Sequence, residues 1–293
     1  ANMTGANRLL IGVAWPLVVV LVWLRTRKTK VSLEPSHGLE LIALLLATIY
    51  AFVLPIKGTL SLFDCAVLVT IFVVYVVRLA RMPAEEPHLV GPAATIGTLP
   101  ARTRRLVVAG LGVLAAVAIL LVAEPFAHAL IETGTLFGVD EFLLVQWLAP
   151  LASEAPEFVV VSIFAWRGAA GAALGALVSS KVNQWTLLVA MLPLIYSVGL
   201  GHPGALPLDG RQQDEILLTA AQSLFAVLLL LDLRLSLVGA GLLFGMFAAQ
   251  FIFADIRVEM SIVYLVAGAI AIFISRAHLG AAIRGARSAG QKH

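Results

Sequence analysis

The amino-acid sequence predicts an all-α membrane protein, and three observations carry that prediction. Of the 293 residues, 60% are hydrophobic and only 13% charged, with a mean hydropathy of +0.99. Soluble domains are roughly 45–50% apolar and about 25% charged. About nine apolar runs approach the ~20 residues that a helix needs to cross a hydrocarbon core. They lie near 8–24, 38–57, 60–80, 105–131, 138–166, 169–199, 214–232, 235–254 and 258–276. Fifteen of the 20 Lys and Arg fall in the breaks after the first, third, fifth, seventh and ninth runs, against Lys57, Arg211 and Arg257 on the opposite side. This positive-inside bias orients the chain and predicts a cytoplasmic C-terminus. The composition excludes a soluble enzyme, a disordered segment and a nucleic-acid binder, and continuous runs exclude a β-barrel.

The chain opens on Ala1 and enters an apolar helix without a basic leader or cleavage site, which reads as a fragment or a processed chain. Trp15-Pro16 predicts a bend in the first span. Asp64 stands near the outer end of the third, and Cys65, the single cysteine, reads as a small apolar filler. Residues 81–104 form the longest polar break, with Pro83, Glu85, Glu86, Pro87, Gly91, Pro92, Gly97 and Pro100, and read as a cytoplasmic linker. It divides residues 1–80 from a second part at 105–254, with 255–293 an extra helix and basic tail. Glu124 and His128, four apart, read as an interfacial pair. Pro193 marks a further bend, and Trp147, Trp166 and Trp185 read as packing or interface anchors.

Charge inside a membrane span costs about 2.5–3.5 kcal/mol per residue on insertion scales and therefore points to function. The densest case is Ser153-Glu154-Ala155-Pro156-Glu157, where two carboxylates three residues apart share a helix face. Pro156 lacks an N–H and crowds the carbonyl of Ala152, so a local bend or unwinding beside the acids is expected. Broken helices next to acids are how transporters build midplane cation sites. The next span carries Ser179-Ser180-Lys181-Val182-Asn183-Gln184. Lys181 lies too far from either end to snorkel, so it is expected to pair with Glu157 or Glu154. The Gly/Ala-rich stretch from Gly168 to Ala176 suits close helix packing. Arg8 lies inside the membrane if its helix begins before Ala1, with Asp64, Glu124 or an acid outside this chain as its partner, and is solvated if it stands at a terminus.

Glu154-Ala155-Pro156-Glu157, preceded by Glu141-Phe142 and followed by Gly175 and Ser179-Ser180, resembles an α-repeat of the cation/calcium exchanger superfamily. That repeat reads G-T-S-x-P-E on one helix and G-N-x-x-G-S-N on the next. Ala1 to Asn7 resembles the same second motif, with Asn2 and Asn7 on its two Asn positions and Gly5 on its second Gly. The resemblance implies an inverted-repeat exchanger fold of about nine helices, with a first half that begins midway through its α-repeat. It implies that Glu157 binds the transported cation, with Ser153, Ser180, Asn2 and Asn7 as oxygen donors and Glu154 as an added acid. Three positions depart from the motif: Ala176 removes an amide, Glu154 adds charge, and Lys181 stands where a neutral ligand is the rule.

The expected function is therefore a secondary active transporter exchanging cations, Na+ and/or H+, by alternating access, with Lys181 and Arg8 compensating charge and Lys181 released when Glu157 takes the ion. A calcium/cation exchanger is the runner-up, because an ammonium opposes the dense negative charge that Ca2+ prefers. A non-transporting relic is the reading for a naturally short chain. No Gly-x-Ser-x-Gly, no His-Glu-x-x-His and no paired intramembrane aspartates support an enzyme, and no cofactor is expected beyond the transported cation and the lipid bilayer. A bacterial plasma membrane is the expected location.

Overall fold

The computed structural model describes residues 2–82, 92–138, 143–253 and 255–289. Glu141, Phe142, the linker residues Pro83, Glu85, Glu86, Pro87 and Gly91, and the end of the basic tail lie outside them. The helices are α1 Asn2–Thr26, α2 Pro35–Lys57, α3 Leu62–Leu79, the short α4 Pro92–Gly97, α5 Ala101–Phe137, α6 Leu144–Trp166, α7 Ala170–Leu200, α8 Gly210–Leu229, α9 Leu237–Ile252 and α10 Arg257–Ala289. Among the described residues, α1, α2, α3, α6, α7 and the Ala101–Phe126 part of α5 are long and apolar enough to cross a membrane. The other three expected spans coincide with α8, α9 and α10. Of these, α9 is apolar but 16 residues long, and α8 carries Arg211, Asp214 and Glu215 in its first turns.

Two compact units emerge. One joins Ala1–Ala80 to Gln146–His293, and the other is Arg81–Val145. In the smaller unit, Glu124 and His128 stand 3.9 Å apart on one exposed face of α5, as a one-turn spacing dictates. The larger unit holds one continuous hydrophobic core, with Leu10, Trp15, Leu44, Leu68, Leu174, Phe225 and Tyr264 among its fully buried members.

A repeat runs through the larger unit. Helix α1 contains a π-helical turn at Leu10–Ala14, and α7 contains one at Gln184–Leu188, 174 residues on. Both helices end on a left-handed residue at equivalent positions, Arg27 with φ 58° and Gly201 with φ 73°. Ser61 caps α3 as Ser236 caps α9, one residue further apart. Four short strands tie the halves together: β1 Lys30–Ser32 pairs antiparallel with β4 Arg234–Ser236, and β2 Thr59–Leu60 with β3 Leu206–Pro207. Each half thus lends a strand to the other, the cross-pairing expected of an inverted repeat.

Local chemistry explains the irregular turns. Pro16 and Pro150 each follow a π-helical turn by two residues, Leu10–Ala14 in α1 and Leu144–Leu148 in α6. Each proline lacks an N–H and crowds the carbonyl four residues back, and the wider π turn absorbs both defects. The turn in α7 has no such proline. There Thr186 Oγ1 donates to the Val182 carbonyl at 2.6 Å and occupies the acceptor that a regular helix would use. Pro156 behaves otherwise than expected: α-helix continues through it from Ala149 to Trp166. The irregularity next to the acids sits one turn earlier, at Pro150, and the carbonyl it frees belongs to Gln146.

Small residues let the helices close in. A Cβ on Gly5 of α1 would lie 1.7 Å from the Gln146 carbonyl oxygen of α6, and one on Gly175 of α7 would lie 2.3 Å from the His37 ring. The Gly/Ala stretch is thus a packing surface, as small residues at membrane helix contacts predict.

Candidate cation-binding site

Helices α6 and α7 pack side by side and present matched pairs of polar groups. Glu154 and Glu157 are three apart on α6; Ser180 and Gln184 are four apart on α7, so each pair shares one helical face. Ser180 Oγ donates to Glu157 Oε1 at 3.0 Å, and Gln184 Nε2 donates to Glu154 Oε1 at 3.0 Å. Glu154 is buried and Glu157 half-buried, so the pair runs from the protein interior toward an accessible edge. Two further oxygens here, Glu154 Oε2 and Gln184 Oε1, are buried and accept no hydrogen bond. An orphaned buried acceptor costs about 1–3 kcal/mol, which a bound cation would relieve.

The other expected ligands are placed less closely. Ser153 is exposed and its hydroxyl donates to the Pro150 carbonyl at 3.2 Å. Asn2 is exposed at the start of α1. Asn7 is fully buried; its Nδ2 donates to the Met3 carbonyl at 2.7 Å, and its Oδ1 has no partner. Among the described residues, no three His, Cys, Asp or Glu side chains converge on one metal position. The acid pair with its amide is therefore the centre of the candidate site.

Lys181 corrects the expectation. It is fully buried, yet it pairs with neither Glu157 nor Glu154: its Nζ donates to the Asn7 carbonyl at 3.3 Å and lies 4.8 Å above the Trp185 ring. The reason is helical geometry. At about 100° per residue Ser180 and Gln184 lie about 40° apart around the axis and Lys181 about 80° from their midline, so Lys181 leaves their stripe and reaches α1 while they face α6.

Arg8 is buried, and its partner is none of those foreseen. Its guanidinium binds Glu215 of α8 and lies 4.9 Å over the Trp147 ring. Glu215 also accepts from Gln146 Nε2 and from Arg257 Nε of α10, both at 2.6 Å. Asp64 is occupied elsewhere, by Lys57, by Tyr50 at 2.7 Å and by Ser61, with which it forms the capping box of α3. Glu215 and Arg257 stand at the starts of two expected spans, and neither is among the site residues expected from the sequence. The signal that finds them is the repeat itself, since Glu215 occupies in α8 the place of buried Glu40 in α2. Glu40 in turn accepts from Ser179 at 3.4 Å.

Comparisons with known proteins bear on the fold and the family. The family model described as sodium/calcium exchanger protein matches residues 1–80 and 107–254. The crystal structure of the H+/Ca2+ exchanger CAX superposes with a TM-score of 0.92 at 44% identity, over 97% of this chain and 72% of that one. The sodium-calcium exchanger NCX_Mj shares the fold, with a TM-score of 0.54 at 18% identity, over 85% of this chain and 74% of that one. A search of curated proteins finds no match. With its cross-paired repeats, the chain belongs to the sodium/calcium exchanger protein family.

Proposed function

We propose that this protein is a cation exchanger that loads its cation on the Glu154–Glu157 pair and releases protons from the same carboxylates. The observation that carries this reading is the unpartnered pair Glu154 Oε2 and Gln184 Oε1, buried beside Glu157. Adjacent carboxylates in a low-dielectric setting need a neutralising charge, so protons and cations compete for the same oxygens. One divalent cation replaces two protons without net change of charge at the site. Ser180 holds Glu157 in place while it is empty, and its hydroxyl can turn a lone pair to an arriving ion.

Calcium is the cation this geometry favours. The preference for Na+ rested on an ammonium among the ligands, and Lys181 faces α1 instead. Two acids with neutral oxygens suit a hard divalent ion, and the relative at 44% identity is an H+/Ca2+ exchanger. The test is uptake of 45Ca2+ and 22Na+ into proteoliposomes under an inside-acid pH gradient. Wild-type protein should accumulate 45Ca2+ and lose that uptake on collapse of the gradient, and Glu157→Gln should reduce it to the level of empty vesicles. Uptake of 22Na+ in place of 45Ca2+ would reassign the cation. Undiminished transport by Glu157→Gln would refute the site.

A further inference from the structure

Lys181 places an amine in the interior that the acid site leaves unused. It is fully buried, and among the described residues no carboxylate lies within 4 Å of its ammonium. Its nearest groups are the Asn7 backbone carbonyl at 3.3 Å and the face of Trp185 at 4.8 Å. Carbonyl oxygens and aromatic faces are the groups with which proteins hold a desolvated monovalent cation. Asn7 offers one more, its buried and unpartnered Oδ1. Neighbouring Arg8, whose charge also acts on the Lys181 amine, is held by its ion pair with Glu215. Asn7 and Lys181 are also equivalent positions of the two repeats, each three residues before its π-helical turn. The ammonium therefore reaches from one repeat onto its own counterpart in the other.

We propose that Lys181 is a tethered cation, its ammonium filling a monovalent-cation subsite between the repeats that a free ion would otherwise occupy. The protein then carries a fixed charge there and has no ion to bind or move at that point. Resting on the exchange reading, the consequence is that the ions moved per cycle are set by the acid pair alone, and that exchange needs neither Na+ nor K+.

The test compares Lys181→Ala, which empties the subsite, with Lys181→Met, which fills it with an apolar chain. Thermal unfolding in detergent is followed at constant ionic strength while choline is replaced by Na+ or methylammonium. Lys181→Ala should gain about 3 °C from one of the small cations, the shift that a ligand at about ten times its Kd gives a chain of this size. Wild type and Lys181→Met should move by less than about 1 °C. If Lys181→Ala does not fold in choline, recovery of folded protein by methylammonium supports the proposal, and Lys181→Ser carries the same comparison. Truncated variants that respond to the small cations no more than wild type does would overturn it. In proteoliposomes, 45Ca2+ uptake by Lys181→Ala should acquire a Na+ dependence that wild type lacks. Should wild type show no exchange while Lys181→Ala is still stabilised selectively, the exchange reading fails and the tethered cation stands. Should exchange be intact and Lys181→Ala indifferent, the tethered cation alone fails.

Discussion

Single side chains decide which face of a helix does what in this protein. Ser180, Lys181 and Gln184 lie within five residues on α7, yet Ser180 and Gln184 address the acids of α6 while Lys181 addresses Asn7 of α1. Replacing Gln184 by Ala should weaken 45Ca2+ binding roughly tenfold, because one hydrogen-bonded ligand to a charged group is worth about 1.5–3 kcal/mol. Equilibrium binding in detergent measures this, and an unchanged affinity would remove Gln184 from the site. Gly5 is under a harsher constraint, since a methyl group there would collide with the Gln146 backbone oxygen. Gly5→Ala should cost about 3 kcal/mol or more, at the upper end of overpacking effects, seen as lost folded yield or a Tm lowered by several degrees. The acids themselves were legible from their spacing and from Pro156. The partner of Lys181 was not, because sequence proximity in a motif says nothing of direction until the 100° step is counted.

At the level of elements, the helix ends and the π-helical turns shape the site. Ser61 and Ser236 cap α3 and α9 at equivalent positions, Ser61 with Asp64 completing a capping box and Ser236 Oγ accepting from the Gly239 N–H at 3.0 Å. Each Ser→Ala change should cost about 0.5–2 kcal/mol, and Ser61→Ala should cost more because Asp64 also loses a donor. Thermal unfolding of the two variants checks both the size and the order. The long apolar runs announced most helices, whereas the widened turns did not show. Pro16 hinted at a bend, but the turn in α7 has no proline and carries instead the Thr186 hydroxyl on the Val182 carbonyl. The same limit explains Pro156, which α-helix accommodates without a break.

For the molecule as a whole, the repeats are joined by swapped strands and by a buried charge cluster. Glu215 binds Arg8 from the first repeat, Arg257 from α10 and Gln146 from α6. Taking away its charge would strand the Arg8 guanidinium in the interior and leave half-buried Arg257 without its partner, and breaking a buried ion pair costs about 3–5 kcal/mol. Glu215→Gln should therefore lower Tm by well over 5 °C at this chain length, where Glu157→Gln, at a half-buried edge, should lower it by less. Fold class and family motif were readable from composition, span spacing and the Pro-Glu signature. The cluster was not, because its members sit at span ends where sequence suggests water, and only the repeat brings them inside. The account stands or falls on the acid pair as the seat of the cation, and equilibrium 45Ca2+ binding to purified wild type, Glu154→Gln and Glu157→Gln tests it most directly. Saturable binding by wild type that both variants lose, with protons competing for it, is the predicted result; binding retained in full by both variants would contradict it.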